Sequence, residues 1–386
     1  MIVLSMLGTN DYKEISYTWD KKKARPHKFF QAALLEWFPQ ADALICVTSE
    51  AKEKHGQAVQ QLLPKAQLID IPSGKDEAEY WDIFNIIGQH IPSGAELVFD
   101  MTHGFRSLPT LALLAVSFLR AAKAVQLKHI LYGAYEAKTD DIAPVFDLTK
   151  FVKMLDWASA TNRFLDTGDA SKFRPLVETR GAKPLNVDLN SAVQQLDSLS
   201  AALSTNRAMR IGELAQQSRK KIDQAQGADW EASHAPLKLL LPRLKGGLDL
   251  LVRDENSSQE AQLVQSFGGV IWFLRHRQYE KAIGLAREWM VCFVQWKQGG
   301  NWTQSLEQRE QTERWLNDAA KNSSEDEWKP FVALWKNLGH FRNDLLHFGF
   351  RDAPRKEHAI PDEAEQRLKE LKAIVRKMGL ELREPS

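Results

Sequence analysis

The sequence is short of cysteine, of long apolar runs and of any excess of charge, and each shortage removes a class of protein. Only two of its 386 residues are cysteines, Cys46 and Cys292. Both lie in apolar runs with no second Cys or clustered His at ligand spacing, so neither a disulfide framework nor a zinc motif is expected, as suits a reducing cytosol. The longest apolar run, LPTLALLAVSFL at 108–119, falls short of the ~20 residues needed to cross a bilayer. IVLSMLG at the start runs straight into a polar Gly-Thr-Asn-Asp turn with no small-residue cleavage site, unlike a signal peptide. The expectation is a cytoplasmic chain with no membrane partner. Charge is balanced, 51 Lys and Arg against 50 Asp and Glu, for a net +1. That excludes a general electrostatic coat for nucleic acid. Any such contact needs a local patch, such as KKKAR at 21–25, SRKK at 218–221 or RHR at 275–277. No GxxxxGK(S/T) loop occurs and Gly8 is not part of a GxGxxG run, which argues against ATP hydrolysis and NAD chemistry.

What is present is an ordinary globular composition, 44% hydrophobic and 26% charged. A single core stops growing near roughly 250–300 residues, so two domains are expected. Over residues 1–150 short β-branched runs, at 2–8, 43–49, 67–73, 96–102 and 127–133, alternate with helical stretches. In the stretch at 27–38 Phe30, Ala33, Leu34 and Trp37 recur at helical spacing. Another stretch, at 75–90, opens with acidic residues, as a helix dipole favours. Apolar strands separated by helices predict a doubly wound α/β domain with a parallel sheet covered on both faces. From Phe151 the strand-like runs stop, and the chain reads as helices joined by polar segments such as 203–230. Seven of the twelve tryptophans lie between Trp272 and Trp335, and most are expected to pack a core.

Two strand ends in the first 150 residues carry small polar residues, GTND at 8–11 and THGFRS at 102–107. Ligands of open parallel sheets bind outside the carboxyl ends of the strands, where the strand order reverses. Gly8 and Gly104 let the backbone approach a ligand. Ser107 and Pro109 suit the start of the next helix, whose free N–H groups favour an anion. Thr9, Asn10, Thr102, His103 and Arg106 supply donors for phosphate or base edges. The implied ligand is a phosphodiester or nucleotide. The competing reading is that Asp100 and Thr102 only satisfy local backbone amides.

A second constellation, HFRNDLLHFGF at 340–350, closes an amphipathic helix whose apolar positions are Phe331, Leu334, Leu338, Phe341 and Leu345, with Gly349 as its stop. Arg342 falls at the edge of that stripe, where an arginine needs an anionic partner. His347 is rotated roughly 140° from it, so the two meet only if the helix end bends or two copies face each other. Arg plus His without an acidic cluster fits RNA cleavage by the neighbouring 2′-hydroxyl. His moves a proton, Arg stabilises charge on the phosphate, and Asn343 holds substrate or orients the histidine. The alternative is an Arg tied to a nearby carboxylate and a solvated His.

DMTHGFRSLP at 100–109, with LGTNDY at 7–12, the helix at 75–90 and LYGAYEA at 131–137, resembles a family of CRISPR-associated proteins with a DxTHG signature. The resemblance covers the N-terminal domain. It implies a Rossmann-like CARF domain that dimerises and binds cyclic oligoadenylate through Gly8, Thr9 and Asn10 in one loop and Thr102, His103, Gly104, Phe105 and Arg106 in the other. RNDLLH at 342–347, preceded by the helix at 278–296, resembles the catalytic motif of HEPN ribonucleases, with Arg342, His347 and Asn343 at the matching positions. Together these imply a CARF sensor at 1–150, a helical linker at 151–260 and an α-helical HEPN domain at 261–386. The implied protein is a homodimer or higher homo-oligomer of type III CRISPR defence. It would be a metal-independent endoribonuclease of single-stranded RNA that needs no cofactor and takes cyclic tetra-adenylate as allosteric activator. DNA and membrane are not expected partners. Two alternatives accompany this reading, a ring nuclease that degrades the activator at the CARF site and a non-enzymatic nucleotide sensor.

Overall fold

The computed structural model describes residues 1–103, 108–177, 186–230, 235–303, 305–321, 327–350 and 352–382. The chain forms two compact units, Met1–Lys153 and Met154–Ser386. The strands of the first are β1 (Ile2–Leu7), β2 (Ser16–Trp19), β3 (Lys22–Lys23), β4 (Asp42–Val47), β5 (Gln67–Asp70), β6 (Glu96–Asp100), β7 (Gln126–Gly133) and β8 (Ile142–Asp147). They make one sheet in the order β3-β2-β8-β7-β6-β1-β4-β5. The chain winds outward from β1 in both directions, through β4 and β5 on one side and β6 and β7 on the other, all in parallel pairs. The order therefore reverses between β1 and β6.

Alternation along β1 divides the core in two. Ile2, Leu4 and Met6 face a layer built by Ile83 and Ile87 of the helix Glu77–His90 and by Ala112, Ala115 and Val116 of the helix Leu108–Ala122. Val3 faces Phe30, Ala33 and Leu34 of the helix Phe30–Trp37. This is the doubly wound arrangement expected, because a strand buried on both faces is apolar at nearly every position, Ser5 being the buried polar exception in β1.

The structure departs from the sequence reading at one sheet edge. Strands β2, β3 and β8 were not expected, and the β7–β8 and β2–β3 pairs are antiparallel. The β2–β3 hairpin turns at Asp20 and Lys21, both at positive φ (47° and 64°) without a glycine, so the usual hairpin signal is missing. Pro144 inside β8 likewise argues against a strand. The basic run at 21–25 thus lies on the hairpin turn and the exposed edge strand β3, where lysines discourage further pairing. A helical stretch also runs from Ser49 to Leu62 with a π-wound middle, Lys52–Gly56.

In the second unit every regular element is helical among the described residues. The polar segment at 203–230 is a correction, since most of it is the helix Ala208–Gly227. Besides Gly212, its buried stripe is Ile211, Leu214, Ala215, Ser218, Ile222 and Ala225. The period is helical, but half of its members are Ala or Ser, so the apolar signal is weak. One core gathers residues from Trp157 to Ala282 and another from Leu263 to Leu380. The second surrounds the helices Gln259–Arg275, Tyr279–Lys297, Lys329–Leu346 and Ile360–Lys377. Among the described residues no helix is long and apolar enough to cross a membrane.

Candidate functional site

At the switch point Asp100, fully buried at the end of β6, fastens the two central strands. Ser5 Oγ donates to its Oδ2 at 2.5 Å and the Thr102 N–H to its Oδ1 at 2.8 Å. Gln31 Nε2 donates in turn to Ser5 Oγ. Burial pushes the Asp100 carboxyl up to about 6, against the downward pull of the Ser5 and Thr102 hydrogen bonds. The Thr102 hydroxyl oxygen accepts the Gly133 N–H at 2.8 Å while its O–H bonds the Asp100 carboxylate, so Asp100 and Thr102 both serve the local structure of the turn.

The β1 loop lies against this turn. A Cβ on Gly8 would stand 2.8 Å from the His103 carbonyl oxygen and 2.9 Å from the Tyr12 hydroxyl, so only glycine permits the approach. The Gly8 N–H donates to Tyr12 Oη at 2.9 Å. The π-wound turn aims Lys54 Nζ at the Thr9 carbonyl (2.7 Å) and His55 Nε2 at that of Asn10 (2.8 Å). Thr9 and Asn10 are thereby held by their carbonyls, with both residues exposed.

His103 is placed differently from the expected anion donor. Its ring centroid is 4.4 Å from that of Tyr12, which also packs on His55 at 5.0 Å. Its Nε2 is buried without a partner among the described residues. Burial, then the nearby His55, lowers its pKa to about 4, so it is neutral near pH 7. Gly104, Phe105, Arg106 and Ser107 lie outside the described residues. The helix they precede starts at Leu108 with Pro109 in its first turn.

Next to this turn a cavity of about 220 Å³ opens at the carboxyl ends of β1, β4 and β5, lined by Gly8 and Thr9 together with Thr48, Glu50, Ser73 and Leu108. Thr48, Glu50 and Ser73 were missed. Each follows a strand, and polar residues at the carboxyl ends of β4 and β5 carry the same positional signal as those after β1 and β6. Glu50 suits a hydroxyl better than a phosphate at that end, because a carboxylate accepts and repels anions.

In the helical unit the helix Lys329–Leu346 begins with Pro330 in its first turn and buries Phe331, Leu334, Leu338 and Phe341. Asp344 is buried as well. It accepts the Arg355 N–H at 3.2 Å and pairs with Arg355 Nη1 at 3.5 Å. Arg355 is also bound to Glu363 at 2.7 Å and lies over the Phe341 ring. The Asp of RNDLLH therefore ties down the segment after the helix.

Arg342 is half-buried, and among the described residues no carboxylate pairs with it. Its charged neighbour is Arg287, a residue the sequence reading missed. Arg287 lies 3.6 Å from the Trp335 ring centroid and donates Nη1 to the Trp335 carbonyl at 2.8 Å. Burial, then the charge of Arg342, lowers the Arg287 pKa. The nearby carboxylates Glu313 and Glu288 pull the Arg287 pKa the other way, and a guanidinium of this kind can take a phosphate oxygen.

His347 is the exposed C-cap, its N–H donating to the Asn343 carbonyl at 3.0 Å. Helical winding ends at Leu346, before the expected stop at Gly349, through Phe348 (φ 53°) and Gly349 (φ 74°). A phenylalanine at positive φ is strained. Phe348 and Phe350 are 86% and 90% exposed. No hydrogen bond joins Arg342 to His347 among the described residues, in keeping with their angular separation.

These features define the class of protein as a doubly wound α/β unit with a crevice at its switch point, followed by a helical unit with an Arg-His helix end. No protein family model matches the chain. Over 116 residues, 30% of this chain, it is 31% identical to the CRISPR-associated protein MJ1674 of Methanocaldococcus jannaschii. The chain spans 18% of that protein's length. It is thus a relative of a CRISPR-associated protein, as its motifs implied. Among solved structures, Enterococcus italicus Csm6 bound to cyclic hexa-2'-fluoro-hexa-dAMP is similar at a TM-score of 0.33 and 10% identity, over 97% of this chain and 94% of that one. A superposition that loose carries no argument about fold or ligand.

Proposed function

We propose that the chain is a homodimeric, metal-independent endoribonuclease of single-stranded RNA in type III CRISPR defence, with a CARF sensor at 1–150 that binds cyclic oligoadenylate and an HEPN effector at 261–386. The observation that carries the reading is Arg342, a half-buried cation beside Arg287 with no carboxylate on it among the described residues, on the same helix end as the exposed His347. An arginine serving only the fold would be paired, as Arg355 is with Asp344 and Glu363.

RNA phosphate would sit at Arg342 and Arg287, which stabilise the charge that develops on it. One His347 takes the 2′-hydroxyl proton, the 2′-oxygen attacks phosphorus, and the bond to the 5′-oxygen breaks. A proton delivered to that oxygen completes the step. The products are a 2′,3′-cyclic phosphate and a 5′-hydroxyl. Asn343 orients the substrate or the imidazole. A second copy brings a second His347, and with it separate groups to accept and to deliver the proton.

The activator would lie over the strand-end crevice, touching Gly8, Thr9 and Asn10, with Glu50 for a ribose hydroxyl and Thr102, His103, Gly104, Phe105 and Arg106 on the other loop. Cyclic tetra-adenylate is the expected ring. The ring-nuclease alternative has less support, since the His103 imidazole is packed on Tyr12 and its Nε2 is buried.

The test is incubation of the full chain and a labelled RNA with each cyclic oligoadenylate in turn, in EDTA. Cleavage that depends on one ring and leaves 2′,3′-cyclic phosphate ends is expected. Cleavage that stops in EDTA and returns with Mg²⁺ would overturn the mechanism.

A further inference from the structure

The helical unit contains a cavity of about 580 Å³ that involves neither Arg342 nor His347, a size typical of small-molecule sites. Its apolar lining includes Leu251, Leu285, Trp289 and Trp302. Around it stand four arginines, Arg207, Arg210, Arg253 and Arg309, against one lining carboxylate, Glu288. Glu288 is already held by Arg309 at 2.5 Å, and Arg210 pairs with Glu213 at 3.2 Å.

Arg253 is the unusual member. It is 8% exposed, donates Nη2 to the Met209 carbonyl at 3.0 Å, and among the described residues its one paired carboxylate is Glu255, 3.8 Å away at the surface. Its guanidinium is 5.5 Å from the Trp302 ring centroid. Its backbone fits because residue 212 is glycine, where an added Cβ would stand 2.6 Å from Arg253 Cβ. Arg253 Nε and Trp302 Nε1 are both buried donors without a partner among the described residues, a state that folded proteins rarely leave unused. The cavity also covers the start of the 20-residue helix Ala208–Gly227, whose N-cap, Arg207, makes no side-chain cap. First-turn N–H groups there favour an anion.

We propose that this cavity binds a nucleoside monophosphate. The phosphate lies at Arg207 and the helix N-terminus, and the flat base enters the apolar part, against the Trp302 ring and beside the Arg253 side chain. An anion alone would not use the apolar wall, and a neutral base would leave the arginines unmatched.

Calorimetry on the full chain with AMP, adenosine and inorganic phosphate tests this. Saturable AMP binding is expected, with adenosine and phosphate each weaker by about tenfold or more, the equivalent of one charge-assisted hydrogen bond. Arg253→Met should weaken AMP by a similar factor. Because that buried residue supports Met209, the exposed Arg207→Glu serves as a second variant that keeps the fold, and it too should weaken AMP. His103→Ala, in the other unit, should leave AMP affinity unchanged. The proposal is overturned if AMP does not bind, if phosphate or adenosine binds as tightly as AMP, if Arg207→Glu leaves AMP affinity unaltered, or if His103→Ala abolishes it.

Discussion

Asp100 and His103, three residues apart at the end of β6, titrate in opposite senses. The folded state raises Asp100 from 3.8 to about 6, so its contribution to stability is complete below pH 3.8 and is lost as pH rises through 6. The folded state lowers His103 from 6.5 to about 4, so its contribution is present above pH 6.5 and is lost as pH falls through 4. Each effect is on the order of 2–3 kcal/mol, and between pH 4 and 6 the two slopes oppose each other. Asp100→Asn should therefore unmask a stability that rises with pH over that window, and His103→Gln one that falls. Urea denaturation of the three proteins from pH 4 to 7 checks this; parallel profiles would mean that burial does not control either group. In the helical unit, His347→Ala and Arg342→Ala should each lower RNA cleavage by roughly 10²–10⁴-fold while activator affinity by calorimetry stays unchanged. Undiminished cleavage by His347→Ala would remove the HEPN reading.

Elements were legible where bulk and period coincide. β1, β4 and β6 are predominantly apolar runs, and the helix Lys329–Leu346 carries large residues at helical spacing, so their patterns predicted them. The helix Ala208–Gly227 escaped because small residues fill half of its buried stripe. Ser49–Leu62 escaped because its buried apolar side chains are few, Ala51 and Val59 among them, with Gly56 in its middle. Small residues mark close approach instead. On the helix Gln259–Arg275 a Cβ at Gly268 would fall 1.9 Å from the Leu250 carbonyl oxygen. Gly268→Ala must push the backbone apart and should destabilise the helical unit by about 1–3 kcal/mol, as overpacking does. An unchanged midpoint in thermal denaturation would show that the 250 segment yields freely.

On the scale of the whole molecule, each unit exposes apolar side chains that one copy does not cover. On the helices Glu77–His90 and Leu108–Ala122, Trp81, Leu114 and Phe118 are 59%, 60% and 57% exposed, and Phe84 bridges Trp81 and Phe118 with ring centroids 6.0 and 5.5 Å away. Leu346, Phe348 and Phe350 stand beside His347. A patch of that kind marks an interface, and the proposed dimer would use both. Trp81→Glu with Phe118→Glu should convert a dimer to a monomer in sedimentation, with loss of cleavage; a wild-type monomer would refute the arrangement. Mixing Arg342→Ala with His347→Ala distinguishes how the site is shared. Mixed dimers regain one of two sites if each site takes Arg342 from one copy and His347 from the other, and stay inactive if each needs both residues from both copies.

By itself the sequence determined the order of the two units, the central strands, the long bulky helices and the two motifs, because apolar period and short-range turn chemistry are local properties. Tertiary structure decided what those motif residues touch. Asp100 is bonded to the Ser5 hydroxyl and Thr102 to the Gly133 N–H, His103 is turned onto Tyr12, and Arg287 is brought beside Arg342 from 55 positions away. No pattern within one element encodes such a meeting. It depends on which faces of separate elements pack together, and that is settled only when the whole core closes.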